Sequence, residues 1–362
     1  MIKFCDVLIL GSGPAGLLSG LIASEKRQVT IVEKPDRHFL LGKRILVSGN
    51  GRANFFNSDL LNFPNGKETL SYLENKCDFA YTTEGKLYYP FFNKSECLHN
   101  ALTSQLSRQK VSILKSTATK VNSQRKTVEL LDENNKPYLL SYNDLVIATG
   151  GRSYDRNDFT YQLIDSLGLV YYPFHSCLCP VITKEKIFSS LIKNKLKAKV
   201  TLMKDSDILY EENGEVLFKE NGLSGIAIFN CSLFINQELR KDPNAKFRFI
   251  LDPLYNLSSS FSRKKLDSCL PSFFREYLKK SNKSIEEKLV FTFDSLYPFK
   301  DSQISFGGIL LNQINPKTMM SANNDNIYLI GEVLDQNYPC GGYNMGHSLI
   351  DGFTCGKALK GE

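Results

Sequence analysis

Tryptophan is absent from this chain of 362 residues, histidine occurs only four times, and no two cysteines form a C-x-x-C pair. Without paired thiols or histidines at ligand spacing, a zinc ribbon, a zinc finger and a thioredoxin-like centre are excluded, and no metal is expected. The nine cysteines are odd in number, and Cys177 and Cys179, two apart, do not make a metal motif alone. Reduced, unpaired thiols in a cytoplasmic protein are the expectation. An acidic excess is also missing. The net charge is +7, but the densest basic spots, Lys193 to Lys197 and Arg263-Lys264-Lys265, are short, so a solvated surface is favoured over a nucleic-acid partner. No internal repeat and no low-complexity segment is present. The one long apolar run, Val7 to Ala23, is broken by glycines, serines and Pro14. It falls short of the roughly 20 residues of a membrane span, and a strand, tight turn and helix account for it better.

What is present alternates. Val7-Leu8-Ile9-Leu10 is a buried-strand run, Ala15 to Ser24 reads as a helix, and Val29 to Val32 is a second β-branched run ending in Glu33. Together they form a βαβ unit. Residues 42–57 read as a Gly/Asn-rich loop, residues 95–110 as a helix, Val111 to Val121 and Thr127 to Leu131 as strands, and Asp132 to Asn135 as a turn. A further buried strand, Leu145 to Ala148, closes on Thr149-Gly150-Gly151. Beyond about residue 174 the texture changes. Lys199 to Met203, Glu215 to Phe218 and Phe247 to Leu251 alternate as antiparallel strands with one wet face, and residues 261–280 carry helical periodicity. Doubly wound character returns at Ile327 to Gly331. The chain therefore reads as an α/β protein with a discontinuous dinucleotide domain, residues 1–174 and 304–362. Residues 175–303 are inserted into it, with a helical part near 256–290.

Gly11-Ser12-Gly13-Pro14-Ala15-Gly16 matches G-x-G-x-x-G between a strand and a helix. Gly11 permits the tight turn, Gly13 lets backbone approach a pyrophosphate, and Gly16 lets helix and strand pack closely. The helix start at Pro14 and Ala15 offers N–H groups and a positive dipole end to phosphates. Glu33, with Lys34 beside it, would meet the ribose hydroxyls. NAD and FAD both use this fingerprint. Two later strand ends, Thr149-Gly150-Gly151 and Gly331-Glu332, favour FAD, because a simple NAD dehydrogenase needs no such C-terminal element.

Several further motifs carry a family resemblance. Gly42-Lys43-Arg44-Ile45-Leu46-Val47-Ser48-Gly49-Asn50-Gly51-Arg52-Ala53-Asn54 resembles the "GRKLLISGGGRCN" loop of one flavoprotein family. Gly331-Glu332-Val333-Leu334-Asp335, followed by Pro339-Cys340-Gly341-Gly342-Tyr343-Asn344, resembles its "GEVLD…GPTGGYN". Gly222 to Gly225, Gly307-Gly308 and Asn315 to Met319 fit as well. The chain is identified as similar to the BaiN/RdsA-type family of FAD-dependent NAD(P)H oxidoreductases, the aminoacetone oxidase-like flavoproteins. The resemblance spans essentially the whole sequence. It implies a split, Rossmann-like FAD-binding domain of glutathione-reductase type, holding non-covalent FAD, with an inserted β-barrel-like domain and a small helical part. It also implies flavin contacts from Lys43, from the loop Ser48, Gly49, Gly51, Arg52 and Asn54, and from the Val121 backbone at the adenine. Gly331, Glu332, Asp335, Gly341, Gly342, Tyr343 and Asn344 complete the set. Ala53 stands where the family usually has cysteine, so no mechanism can depend on a thiol there. Cys340 replaces a common threonine, and His347 replaces a commonly aromatic residue.

Alternatives stay open at single positions. Arg52 would clamp the pyrophosphate or only brace its loop. Tyr343 would stack near the ring or pack. A helix from about Met345 to Leu359, led by Gly341-Gly342, would aim its dipole at the flavin pyrimidine edge. Phe218, Tyr297 and Phe299 would wall a substrate pocket or belong to the core, with core favoured. The expected chemistry is hydride transfer from NAD(P)H through flavin N5 to an unsaturated or carbonyl-conjugated small molecule, or to oxygen; with no second fingerprint in the sequence, the nicotinamide would bind transiently over the flavin or not at all. An amine-type oxidase producing peroxide and a flavin-binding RNA-associated or regulatory protein are the alternatives. No catalytic side chain, substrate, nicotinamide preference or oligomeric state is legible.

Overall fold

A computed structural model describes residues 3–35, 39–109, 111–153, 159–257, 266 and 268–362. The chain divides into two compact units. One holds most residues up to Phe174 and all from Phe306 onward; the other runs His175–Ser305.

The first unit is built on a seven-stranded sheet. Strand β1 (Lys3–Leu10) leads into helix α1 (Pro14–Ala23) and then β2 (Val29–Glu33). β1 pairs in parallel with β2, placing Leu10 opposite Val32. Both faces of β1 are covered, so its end reads as a continuous apolar run. The Gly/Asn-rich stretch is more ordered than the sequence suggests, because Lys43–Val47 forms a short helix and Ser48–Gly51 a 3-10 turn. Ser95 Oγ donates to the Leu46 carbonyl at 2.8 Å, tying that helix to α2 (Ser95–Arg108). The single strand expected over residues 111–121 is two: β3 (Ser112–Lys115), parallel to β2, and β4 (Thr117–Asn122), in an antiparallel meander. Buried Ser116 divides them, its amide donating to the Glu33 carbonyl at 3.0 Å. β5 (Thr127–Leu131) and β6 (Pro137–Ile147) complete the meander, and β6 starts earlier than its apolar tail suggests because its first half has one wet face. β6 pairs in parallel with β1, bringing Ile147 opposite Leu10. Helix α3 (Phe159–Ser166) follows.

The second unit is a closed six-stranded barrel, in order β7-β10-β9-β8-β11-β12. The strands are β7 (Val181–Thr183), β8 (Lys195–Lys204), β9 (Asp207–Lys219), β10 (Gly222–Ser224), β11 (Phe247–Asp252) and β12 (Leu289–Leu296). Closure pairs every edge. Helix α4 (Ile226–Lys241) contributes Ala227, Ile228, Cys231 and Ile235 to the same core as Val200, Leu202, Phe218 and Phe249. Phe218 is therefore core. Tyr297 and Phe299 are half-buried, and Lys219 Nζ lies 4.5 Å from the Tyr297 ring centre. Of the helical periodicity over 261–280, helix α5 (Ser272–Ser281) is described, while residues 258–265 and 267 lie outside the described residues.

The chain returns to the first sheet at β13 (Ile327–Leu329), parallel to β6, and ends in α6 (Tyr343–Lys360). α6 lies close against α1. A Cβ on Gly352 would sit 2.4 Å from the Ala15 carbonyl oxygen, and one on Gly356 would meet Ile22 and Ser19. Small residues on facing helices let the backbones approach to this distance.

Candidate functional site

The parallel strands β1, β6 and β13 end side by side, and the sequence motifs hang from those ends. Gly11 has φ +105, and a Cβ there would meet the Ala148 carbonyl oxygen at 2.3 Å. A Cβ on Gly16 would lie 2.1 Å from the Gly11 carbonyl oxygen. Turn, helix and the Ala148-Thr149-Gly150 strand end are thus pressed together, which is the reason the fingerprint needs glycine. Gly331, at φ +75, sits between Ala15 and Ser348, with a Cβ there only 3.1 Å from the Ala15 Cβ. The fingerprint, Thr149-Gly150 and Gly331-Glu332 accordingly converge within the first unit.

Ser12 links three motifs. Its N–H and hydroxyl both donate to Glu33 Oε2, at 2.7 and 2.5 Å, and its Oγ accepts from the Gly42 amide at 3.1 Å. Glu33 is thereby held at the tip of β2 through Oε2. Lys34 Nζ lies 6.0 Å from the Phe159 ring centre.

The loop after Lys43 is joined to the C-terminal glycines. Oriented to satisfy its neighbours, the Asn54 amide donates to the Phe56 and Tyr88 carbonyls and accepts from the Gly342 amide, at 3.1, 3.2 and 3.2 Å. Asn57, which the motif reading missed, donates to the Gly341 carbonyl at 2.8 Å. Asn344 closes the other side of this turn, accepting from the Tyr338 amide at 3.0 Å and donating to the Tyr338 carbonyl at 2.8 Å. α6 begins directly at this clamped turn, one residue after Gly342, so its N-terminal dipole end lies beside the glycines.

Other candidate residues have structural engagements. Arg52 is half-exposed, paired with Glu84 at 2.7 Å and Asn93 at 3.1 Å, with its guanidinium 4.3 Å from the Tyr89 ring centre. In this structure it braces its loop. Ser48 donates to the Ile45 carbonyl at 2.6 Å. The Val121 amide, in the meander, donates to Ser166 Oγ at 3.1 Å. Tyr343 donates to Asp59 at 2.7 Å, and burial with that carboxylate raises its phenol to about 12. Asp335 donates its amide to the Ile309 carbonyl at 2.8 Å. His347 is buried and stacked on Tyr338, ring centres 3.9 Å apart and 5° from parallel, with Phe63 edge-on at 4.9 Å. Burial lowers its pKa to about 4, so it is neutral, and it packs much as another aromatic would.

The residues present fit a dinucleotide. Among the described residues no side chain caps α1, and no acid lies in its first turn, so its positive dipole end is not neutralised by a side chain. A Cβ on Gly13 would meet nothing within 4 Å, which leaves room over that turn. Thr149 Oγ1, just beyond the end of β6, is buried with no hydrogen-bond partner among the described residues. A buried hydroxyl without a partner is costly, and a ligand at the strand ends would satisfy it.

The HI0933-like protein Rossmann domain matches residues 56–358. The chain belongs to that family. The HI0933-like chain is 25% identical to the 3-dehydro-bile acid delta(4,6)-reductase of Clostridium scindens, over 97% of this chain and 98% of the other. It is 23% identical to the ribosomal RNA dihydrouridine synthase of Haemophilus influenzae, over 99% and 100%. Among solved structures it is similar in fold to a flavocytochrome c3 fumarate reductase (TM-score 0.52, 12% identity, 99% of this chain and 78% of that one). It is likewise similar to the 3-ketosteroid delta1-dehydrogenase of Sterolibacterium denitrificans (TM-score 0.51, 10% identity, 99% and 100%). This member of the HI0933-like family is an FAD-dependent oxidoreductase. Among the described residues, no helix is long and apolar enough to cross a membrane.

Proposed function

We propose that this flavoprotein reduces a carbon–carbon double bond conjugated to a carbonyl group, using NAD(P)H as electron source and a small molecule as acceptor. One observation carries the reading. Two full-length relatives are named for unlike substrates, a bile acid and ribosomal RNA, yet both names describe saturation of a double bond in conjugation with a carbonyl. The bond type is what they share.

Bound FAD supplies hydride at N5. This chain's residues supply its cradle. The Gly11–Gly16 turn and the start of α1 take the pyrophosphate, and Glu33 takes the ribose. Thr149 and Gly331 line the strand ends. The turn Gly341-Gly342, clamped by Asn54, Asn57 and Asn344, leads into the N-terminus of α6, whose dipole would favour negative charge on a flavin bound beside it. No second fingerprint exists in the sequence, so the nicotinamide binds transiently.

A second reading takes ribosomal RNA as acceptor. It is favoured by the relative named a ribosomal RNA dihydrouridine synthase, which matches the chain over nearly its whole length. The deciding experiment incubates the FAD-loaded protein and NAD(P)H, without oxygen, with a 3-oxo-Δ4 steroid or with ribosomal RNA. Products are read by mass spectrometry. Gain of two hydrogens on the steroid supports the first reading, and dihydrouridine in the RNA supports the second. Peroxide formation from amines in air, with neither product, would replace both with an amine-type oxidase.

A further inference from the structure

Asp351 lies in α6, one residue before the glycine that packs on Ala15 of the fingerprint. It is buried, and its Oδ2 accepts from the Gly331 amide at 3.0 Å and from the Gln336 side-chain amide. Both donors are neutral. Burial without a paired cation pushes its carboxyl up to about 7. A carboxylate in such a place costs folding free energy that a serine or asparagine would not. What it holds is specific. Gly331 has left-handed backbone, stands against Ala15, and begins the turn in which the Leu334 amide donates back to the Gly331 carbonyl at 3.0 Å. Gln336 follows that turn, its amide donating to the Leu334 carbonyl at 2.8 Å. A single carboxylate oxygen therefore ties both ends of the segment Gly331–Gln336 to the helix that packs on the fingerprint.

We infer that Asp351 is a positioning residue for FAD: by gripping the Gly331 amide and Gln336 it fixes the Gly331-Glu332 turn against Ala15, so that the turn meets the cofactor preformed. The inference rests on the FAD reading. Preformed turns bind tightly because ordering is not charged against binding. Losing the acceptor leaves the Gly331 amide buried and unpaired, which releases the turn.

The test compares Asp351→Asn and Asp351→Leu with the parent chain. FAD affinity is measured by flavin fluorescence quenching, turn order by visible circular dichroism of bound flavin, and folding by the melting temperature of the apoprotein. Asparagine keeps an acceptor for Gly331, and Gln336 can turn its amide to match. Affinity within about threefold of the parent is expected. Leucine keeps the bulk without the acceptor, and FAD should bind about tenfold more weakly or worse, with altered visible dichroism and a folded apoprotein. If Asp351→Leu does not fold, Gln336→Met decides, with a weakening of about fivefold or more expected, outside that threefold window. Leucine (or, in that case, Gln336→Met) binding FAD as tightly as the parent overturns the inference while leaving the cofactor reading intact. A folded parent chain that binds no FAD overturns both.

Discussion

At the scale of single residues, Gly11 and Gly16 stand where an added Cβ would lie only 2.3 and 2.1 Å from a backbone oxygen. Gly16→Val would drive a branched side chain into the Gly11 carbonyl, 2.1 Å from the Cβ position. The expected cost is about 1–3 kcal/mol, seen as a lower melting temperature, together with loss of FAD binding. Arg52 predicts the opposite. Its guanidinium is engaged by Glu84, Asn93 and the Tyr89 face, so Arg52→Ala should leave FAD affinity within about threefold. A hundredfold loss on titration would show that arginine swings onto the pyrophosphate. Much at this scale was legible in the sequence, because the fingerprint spacing is itself a statement about backbone approach. Asp351 and Asn57 were not. Each acts by bonding to a backbone group far along the chain, Gly331 and Gly341, and such pairings appear only once the strands are laid side by side.

At the scale of elements, the clamp on the Gly341-Gly342 turn joins the loop after Lys43 to the start of α6. Asn57→Ala removes the bond to the Gly341 carbonyl, and Asn54→Ala removes the three at Gly342, Phe56 and Tyr88. Each should cost about 1–2 kcal/mol of holoprotein stability, with a shifted visible flavin spectrum, while the barrel residues keep their hydrogen-exchange protection. The spectrum is the decisive reading, since an unchanged one would mean the turn lies away from the flavin ring. Element existence followed well from periodicity: β1, α1, β2, β5 and the C-terminal helix lie where their apolar spacing puts them. Two failures have physical causes. The glycines and asparagines after Gly42 suggested a loop, yet Lys43-Arg44-Ile45-Leu46-Val47 holds enough apolar surface to make a helical turn against α2. The run before Val121 suggested one strand, yet Ser116 turns the chain from a parallel pairing into a meander.

At the scale of the whole molecule, the N-terminal strand is fastened by charge. Arg27 pairs with Asp6 at 2.6 Å and with Asp144 at 2.9 Å, and donates to the Leu359 carbonyl at 3.1 Å, linking β1, β6 and the end of α6. Arg27 holds the Asp6 carboxyl down at about 2. Because the folded value lies below the unfolded one of about 3.9, this stability is present above pH 4 and is lost as pH falls toward 2. Arg27→Met should cost about 2–3 kcal/mol at neutral pH and flatten that acid limb in urea titrations. Asp351 has the reverse sign. Its folded value of about 7 lies above the unfolded one, so the folded apoprotein binds the extra proton and stability falls as pH rises from about 4 to 7. Tyr338 and Cys355 are the titratable groups that face it, and burial keeps both uncharged across that range. Asp351→Asn should abolish the slope, as read from melting temperatures at pH 5 and 8. The change in texture near residue 174 has a physical basis, because a parallel sheet buried on both faces and a barrel with one wet face leave different hydrophobic periods. The substrate was not, since the barrel interior is filled by Val200, Leu202, Phe218 and Phe249 and its strands carry no chemical code.

The most direct test of an NAD(P)H-driven FAD reductase is an anaerobic spectrum. The purified protein, saturated with FAD and freed of excess, is mixed with NADH or NADPH while the flavin absorbance is followed. Bleaching within seconds by one of the two nicotinamides is the predicted result. Flavin that stays oxidised with both would contradict the proposed electron source, and folded protein that retains no flavin would contradict the account at its root.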